Sequence, residues 1–195
     1  DELVECTIGK ELGVSRTPVR EAVRQLALEG LVQIIPNKGA FVTGISARDV
    51  MDMYQIRARL EGLCASMAAE HVTKEQLEGM EEAIILSDYH AEKGNYDQVC
   101  QQDSRFHKLL YEASGSRILV HTLGDFHQYL QRVRMASVQY RMRVRPSNSE
   151  HRKILEAIRQ GDGQAAEKAA YGHIANTIEN LKNFDLEKVL REEMK

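Results

Sequence analysis

The stretch LGVSRTPVREA, Leu12 to Ala22, decides how this 195-residue chain is read. Gly13-Val14-Ser15 breaks a short helical run, Thr7 to Leu12, from a longer one spanning about Arg16 to Glu29. Ser15 or Thr17 suits the N-cap of the second helix, and Pro18 falls in its first turn, where a missing N–H costs nothing. Gly30 is placed to end it. Two helices joined by so short a turn make a helix-turn-helix. On the second helix Val19, Val23 and Leu26 share a face, expected to pack against Leu12 and the segment that follows. Arg16, Arg20 and Arg24 lie four apart and form a stripe on another face.

Moving outward, Leu31 to Ile35 and Ala40 to Thr43 are short, apolar, β-branched runs around Pro36-Asn37-Lys38-Gly39. They read as a β-hairpin with a four-residue turn, which makes the helix-turn-helix winged. Lys38 and Gly39 are expected at the tip, one to meet phosphate and the other to allow close backbone approach. A row of guanidiniums near a helix start can bind phosphate or pair with guanine edges. An arginine stripe alone is usually a solvated face; here its place on the second helix of a winged pair points to double-stranded DNA. The candidate DNA contacts are Ser15, Arg16, Thr17, Arg20, Arg24, Lys38 and Gly39. Net charge is −3, and residues 1–45 hold only five of the 26 Lys and Arg, so this case rests on local placement of charge.

Beyond Ser46 the pattern is helical throughout. Helices are expected at about 47–71, 74–93, 97–114, 117–142, 148–160 and 163–182, with a short one from about 186. Gly94-Asn95, Ser114-Gly115-Ser116, Pro146-Ser147-Asn148-Ser149 and Gly161-Asp162-Gly163 mark the breaks. The fold expected is mainly α: a winged helix-turn-helix over 1–45 and an all-α bundle over 46–195. Hydrophobic residues, 43% of the chain, suffice for a core, and with 6% aromatics and no Trp it must be built from aliphatic side chains. Cys6, Cys64 and Cys100 are odd in number and widely spaced, which disfavours a disulfide framework and suits a reducing cytosol. No stretch has the length of a membrane span and no signal peptide opens the chain, so a cytoplasmic protein is expected.

Several helical stripes that should be apolar carry polar groups. Asp103 and His107 fall on the inward face of the third bundle helix, with Val99, Phe106 and Leu110. His151, His173 and Arg57 fall on the inward faces of three others. Asp103 and His107, four apart, stack on one face as two ligands of one ion would. The residues alone leave two readings open: hydrogen-bonded core groups, or a His₃Asp site for a divalent ion. Such a site would keep net positive charge and, if six-coordinate, two open positions. A carboxylate could fill these, with Arg57 pairing to its charge. His127 is the remaining histidine placed to approach the site.

The run Leu12 to Ala22, with Leu26, Glu29-Gly30-Leu31-Val32 and Lys38-Gly39-Ala40-Phe41-Val42, closely resembles the DNA-binding domain of the GntR family of regulators. That domain normally opens with a further helix, which this chain is expected to lack; Asp1 to Glu5 resembles the loop after it. Ser46 to Lys182 resembles the FCD ligand-binding domain of the FadR-like subfamily, in its six-helix VanR-type form. Arg57…Leu60-Glu61, Asp103-x₃-His107, Glu150-His151-Arg152 and His173-Ile174 carry that likeness. It implies Asp103, His107, His151 and His173 as metal ligands, with zinc or nickel the favoured ions. It also implies a small organic acid as effector, with Arg57 and, by position, Asn176 and Asn180 lining its site. The function expected is a ligand-responsive, homodimeric DNA-binding transcription regulator, not an enzyme. A mononuclear metalloenzyme and a metal-free acyl-chain sensor are the alternatives.

Overall fold

Gly13 adopts the left-handed conformation, φ +66°, and so closes α1 (Glu5–Leu12). Its N–H donates to the Lys10 carbonyl and that of Val14 to the Gly9 carbonyl at 2.9 Å, the hydrogen bonds of a helix end that favours glycine. α2 (Arg16–Leu28) starts after Ser15, whose backbone is extended but whose side chain caps nothing. Val19 and Val23 are buried with Val32 and Ala40, flanked by Leu3, Ile8 and Ala27. Leu12 and Leu26, expected in this core, are 69% and 36% exposed. Leu12 is the last helical residue before the left-handed turn, and Ile8, one turn earlier, takes its place.

The computed structural model describes residues 2–131, 133–135, 144–183 and 185–191, divided into two units at Ile45/Ser46. In the first, β2 (Val32–Ile35) and β3 (Gly39–Val42) form an antiparallel hairpin, and β1 (Glu2–Leu3) pairs with the other edge of β3. Glu2-Leu3, read from sequence as loop, is therefore a strand, opposite Phe41 and Ala40. Ile35 pairs with Gly39, so the turn has three residues, Pro36 to Lys38, and not four. Gly39 lies in the strand at φ +116°, not at the tip. A Cβ there would lie 3.0 Å from Glu2 Oε1, so the glycine leaves room for a side chain of the neighbouring strand.

The second unit is helical: α3 (Ala47–His71), α4 (Lys74–Lys93), α5 (Tyr96–Ala113), α6 (Arg117–Tyr129), α7 (Val144–Arg159), α8 (Gly163–Leu181) and α9 (Leu186–Arg191). Capping boxes start α3 (Ser46 with Asp49) and α4 (Thr73 with Gln76), satisfying N–H groups that lack helical partners. α3 packs along α8 and against α5, α6 and α7, while α4 packs on α5 and α7. Small residues (Ala65, Ala68, Ala166, Ala170) let helices approach, and Met80, Phe106, Leu110, Leu123, Ile154 and Ile158 fill the space between. Burial of each large side chain contributes about 1.5–3 kcal/mol.

Two expectations change here. The helix expected over 117–142 stops at Tyr129 with a turn at Leu130; residues 131 and 133–135 are again helical, and 136–142 lie outside the described residues. Pro146-Ser147-Asn148-Ser149, read as a break, lies inside α7. Pro146 is its third residue, where no intrahelical N–H is required. Asn148 is buried and bonded to Ser87 on α4, which ties α7 to the bundle.

Candidate metal and ligand site

α5, α7 and α8 bring His107, His151 and His173 together inside the second unit, each buried. The α5 helix places Asp103 one turn before His107. His151 Nε2 lies 3.2 Å from His173 Nε2. With metal–nitrogen bonds of about 2.0–2.1 Å, two ligands of one ion stand roughly 3 Å apart. Asp103 Oδ1 is 3.8 Å from His107 Nε2 and 3.7 Å from His151 Nε2. One ring nitrogen from each histidine lies within 4.8 Å of the other two, and Asp103 stands beside two of them.

Carboxylates stand behind two of the rings. His173 Nδ1 is 2.8 Å from Glu150 Oε2, and His107 Nδ1 is 2.9 Å from Glu61 Oε2. An ionised carboxylate only accepts, so the bond to Glu150 puts a proton on His173 Nδ1 and leaves Nε2 to face the centre. Burial lowers His173 despite the opposing bond to Glu150; it lowers His151 much further, helped by His173. Burial and the Arg134 guanidinium push His127 down to about 2. For His173, His151 and His127 this favours the neutral ring, which is the ligating form. Burial alone would raise Asp103, but the Arg134 guanidinium holds its carboxyl well below the usual range.

Two buried arginines border the centre. Arg57 donates from Nε and Nη2 to Glu61 Oε1 at 2.9 and 2.5 Å, and the Tyr111 hydroxyl donates to the same oxygen at 2.7 Å. Burial opposes ionisation of Glu61, yet Arg57 and His107 keep it well below its ordinary pKa. Arg134 Nη2 reaches Asp103 Oδ2 at 2.5 Å and Ser104 Oγ at 2.9 Å, while its Nη1 meets His127. A cavity of about 60 Å³ opens here, bordered by Tyr54, Arg57, Asp103, His107, Arg134 and Thr177 among others. Its volume suits a few water-sized groups.

Asn176 and Asn180 do not line this cavity; Thr177 does, one turn after His173. Asn176, three residues from His173, is turned outward and donates to Glu150 Oε1 at 2.9 Å, while Asn180 donates to the Asn176 carbonyl. Glu61, Glu150, Tyr54 and Arg134 were not singled out as site residues from the sequence. For Glu61 a signal was present: it stands four residues after the inward Arg57, where a buried guanidinium needs a partner.

In the first unit, Ser15, Arg16, Thr17, Arg20, Arg24, Lys38 and Gly39 are all exposed. The arginine stripe is partnered within the chain. Arg20 makes a forked pair with Glu5 of α1 at 2.9–3.2 Å, Arg16 lies 3.6 Å from the same carboxylate, and Arg24 pairs with Glu21. The bond to Arg20 lowers the Glu5 pKa against an opposing desolvation.

Residues 52–176 match the family model of the FCD domain, and residues 1–42 match that of the bacterial regulatory proteins of the gntR family. The chain belongs to the GntR family. This GntR regulator is 28% identical over 184 residues to the HTH-type transcriptional regulator YdhC of Bacillus subtilis strain 168, covering 94% of this chain and 82% of that protein. It is 29% identical over 182 residues to the HTH-type transcriptional repressor RspR of Escherichia coli K12, covering 93% and 80%. Among solved structures, E. coli McbR/YncC superposes with a TM-score of 0.66 at 21% identity, over 94% of this chain and 87% of that one, a likeness of fold. The family is one of transcription regulators, not enzymes. Among the described residues, no helix is long and apolar enough to cross a membrane.

Proposed function

We propose that this GntR regulator senses a small carboxylate at a divalent ion held by Asp103, His107, His151 and His173, and that binding alters the affinity of a homodimer for operator DNA in the cytoplasm. The observation that carries this reading is the meeting of three buried imidazoles, with the Asp103 carboxylate beside two of them and Glu61 and Glu150 behind His107 and His173. Zinc or nickel suits that donor set. The bound ion would supply Lewis-acid attraction for an anionic oxygen.

Charge bookkeeping supports an anionic ligand. Arg57 and Arg134 against Glu61, Asp103 and Glu150 leave one negative charge. A divalent ion reverses that to one positive charge, which a single carboxylate balances. Arg57 is engaged by Glu61 and Arg134 by Asp103, so in this reading both supply positive potential at the cavity wall. In the DNA-binding unit, Arg16, Arg20 and Arg24 would exchange Glu5 and Glu21 for phosphates or base edges, with Ser15, Thr17, Lys38 and Gly39 beside them. The ligand shifts operator affinity only by favouring one conformation of the dimer over another.

Elemental analysis of the purified chain tests the centre directly: about one zinc or nickel per chain is expected, and its loss in His151→Ala and His173→Ala. Gel shift with operator DNA, with and without candidate acids, tests the coupling. Wild-type protein that takes up no divalent ion, or an ion retained in both variants, would overturn the metal reading.

A further inference from the structure

A buried cation beside a candidate cation site is electrostatically out of place, because like charges at short range repel, and more so away from water. Arg134 is such a cation, its side chain only 9% exposed. Its contacts give it a reason to be there. Nη2 reaches Asp103 Oδ2 at 2.5 Å, Ser104 Oγ at 2.9 Å and the Cys100 carbonyl at 3.4 Å, all on one stretch of α5. Nη1 meets His127 Nε2 on α6. A guanidinium only donates, so that ring nitrogen accepts, and His127 anchors the other arm of the fork. The two oxygens of Asp103 are thereby divided. Oδ2 is taken by Arg134, while Oδ1 stands 3.7 Å from His151 Nε2 and 3.8 Å from His107 Nε2. Turning both oxygens toward the histidines would break the pair and strand a buried guanidinium.

We infer that Arg134 is a positioning residue for the metal centre: it clamps Asp103 so that one carboxylate oxygen, Oδ1, is offered to the ion and the other is kept away from it. This rests on the proposed binding of a divalent ion through Asp103. Attachment by one oxygen uses one coordination position where attachment by two would use two, so the clamp leaves a position on the ion for another donor. Guanidinium suits the task, since its planar fork fixes a direction where an ammonium supplies only a point charge. The cost of a positive charge near the ion is offset because Asp103 neutralises it at 2.5 Å.

The test uses the whole chain. Zinc affinity is measured by competition against a chelator, and the visible absorption of the cobalt-loaded chain reports the number and arrangement of donors. Clamp and bare charge predict opposite signs. Arg134→Gln removes a positive charge from beside the ion, so a residue acting through charge alone would, when lost, let zinc bind more tightly. With the clamp gone, zinc is expected to bind about 10–100-fold more weakly. The cobalt spectrum should change as well, because both carboxylate oxygens become free to turn toward the ion. Arg134→Lys keeps the charge but loses the fork, and should shift the spectrum in the same direction. Ser104→Ala removes one bond of the clamp and leaves every charge in place; a smaller fall in affinity is expected, and this variant carries the test if Arg134→Gln does not fold. Zinc held as tightly as in wild type or more so, or weaker binding with an unchanged cobalt spectrum, overturns the inference and leaves the metal reading standing. Wild type that binds neither zinc nor cobalt overturns both.

Discussion

Both units of this regulator hold arginine–glutamate pairs, and the pairs differ in kind. Arg20 and Glu5 meet in a forked bond at the surface, their side chains 48% and 25% exposed. Arg57 and Glu61 meet at 2.5 Å with 2% and 1% exposed. The first pair sits in water, so separating it is cheap and phosphate can replace the carboxylate. The second has nowhere to find another partner, so it stays fixed and holds His107 and Tyr111 in place. A surface that must engage and release DNA uses exchangeable pairs; a cavity that must present a set geometry uses committed ones.

The largest expected effect breaks the buried pair. Glu61→Ala strands Arg57 in the core, at a cost of about 3–5 kcal/mol. For a chain of this size that is a fall of roughly 6–20 °C in melting temperature. Glu5→Ala, the surface counterpart, should leave the melting temperature essentially unchanged. Thermal denaturation of both reads the comparison in one experiment, and equal losses would remove the distinction between the two pairs.

Next in size is the support behind the candidate ligands. Glu150→Gln keeps the shape but weakens the hold on His173 Nδ1, and metal affinity should drop about 10–100-fold, as for other outer carboxylates. Competition against a chelator measures it. Asn176→Ala, one bond further out, should have a smaller effect in the same direction, because Asn176 touches Glu150 and not the imidazoles. Equal affinity in Glu150→Gln and wild type would make Glu150 an ordinary buried acid.

How far the sequence reached follows the same divide. The first unit was legible because its signals are local: Gly13, Pro18 and Gly30 punctuate the helices, and β-branched runs mark the hairpin. Its one unexpected element, Glu2-Leu3, is a strand only by virtue of its partners Phe41 and Ala40, far along the chain, which no local pattern reveals. In the bundle, Asp103, His107, His151 and His173 stood out as polar interruptions of apolar stripes, and the structure brings the three histidines together with Asp103 beside two of them. Glu150 gave no such signal, since next to His151 it sits about 100° round the helix from the inward stripe. Arg134 reaches Asp103 from 31 residues away, on a segment whose helical course breaks at Leu130. Tyr54 was not among the residues read as inward, and only the packed structure shows its hydroxyl without a hydrogen-bond partner among the described residues.

On the DNA side the exchangeable pair makes a finer prediction. If Arg20 leaves Glu5 for a phosphate, Arg20→Ala should lower the slope of log affinity against log salt by about 1. Glu5→Gln removes a competing anion and should strengthen DNA binding at low salt. Filter-binding titrations over a range of salt concentrations read both. An unchanged slope in Arg20→Ala would mean that Arg20 serves only to join α1 to α2.

The smallest effect separates the units by their thiols. Cys6 is exposed on α1, Cys64 is buried in the bundle, and Cys100 lies half-buried below Arg134. Burial raises the Cys64 thiol to about 12 and Cys100 to about 11, the latter against the opposing pull of Arg134. The thiolate is the reactive form, so near pH 8 a thiol at 11 is ionised to about one part in a thousand. A chromogenic disulfide should therefore titrate one thiol quickly in the native chain and the other two only on unfolding. Rapid reaction of Cys100 as well would show that the Arg134 side of the cavity opens readily. The committed geometry argued for the bundle would then hold at the Arg57–Glu61 end alone.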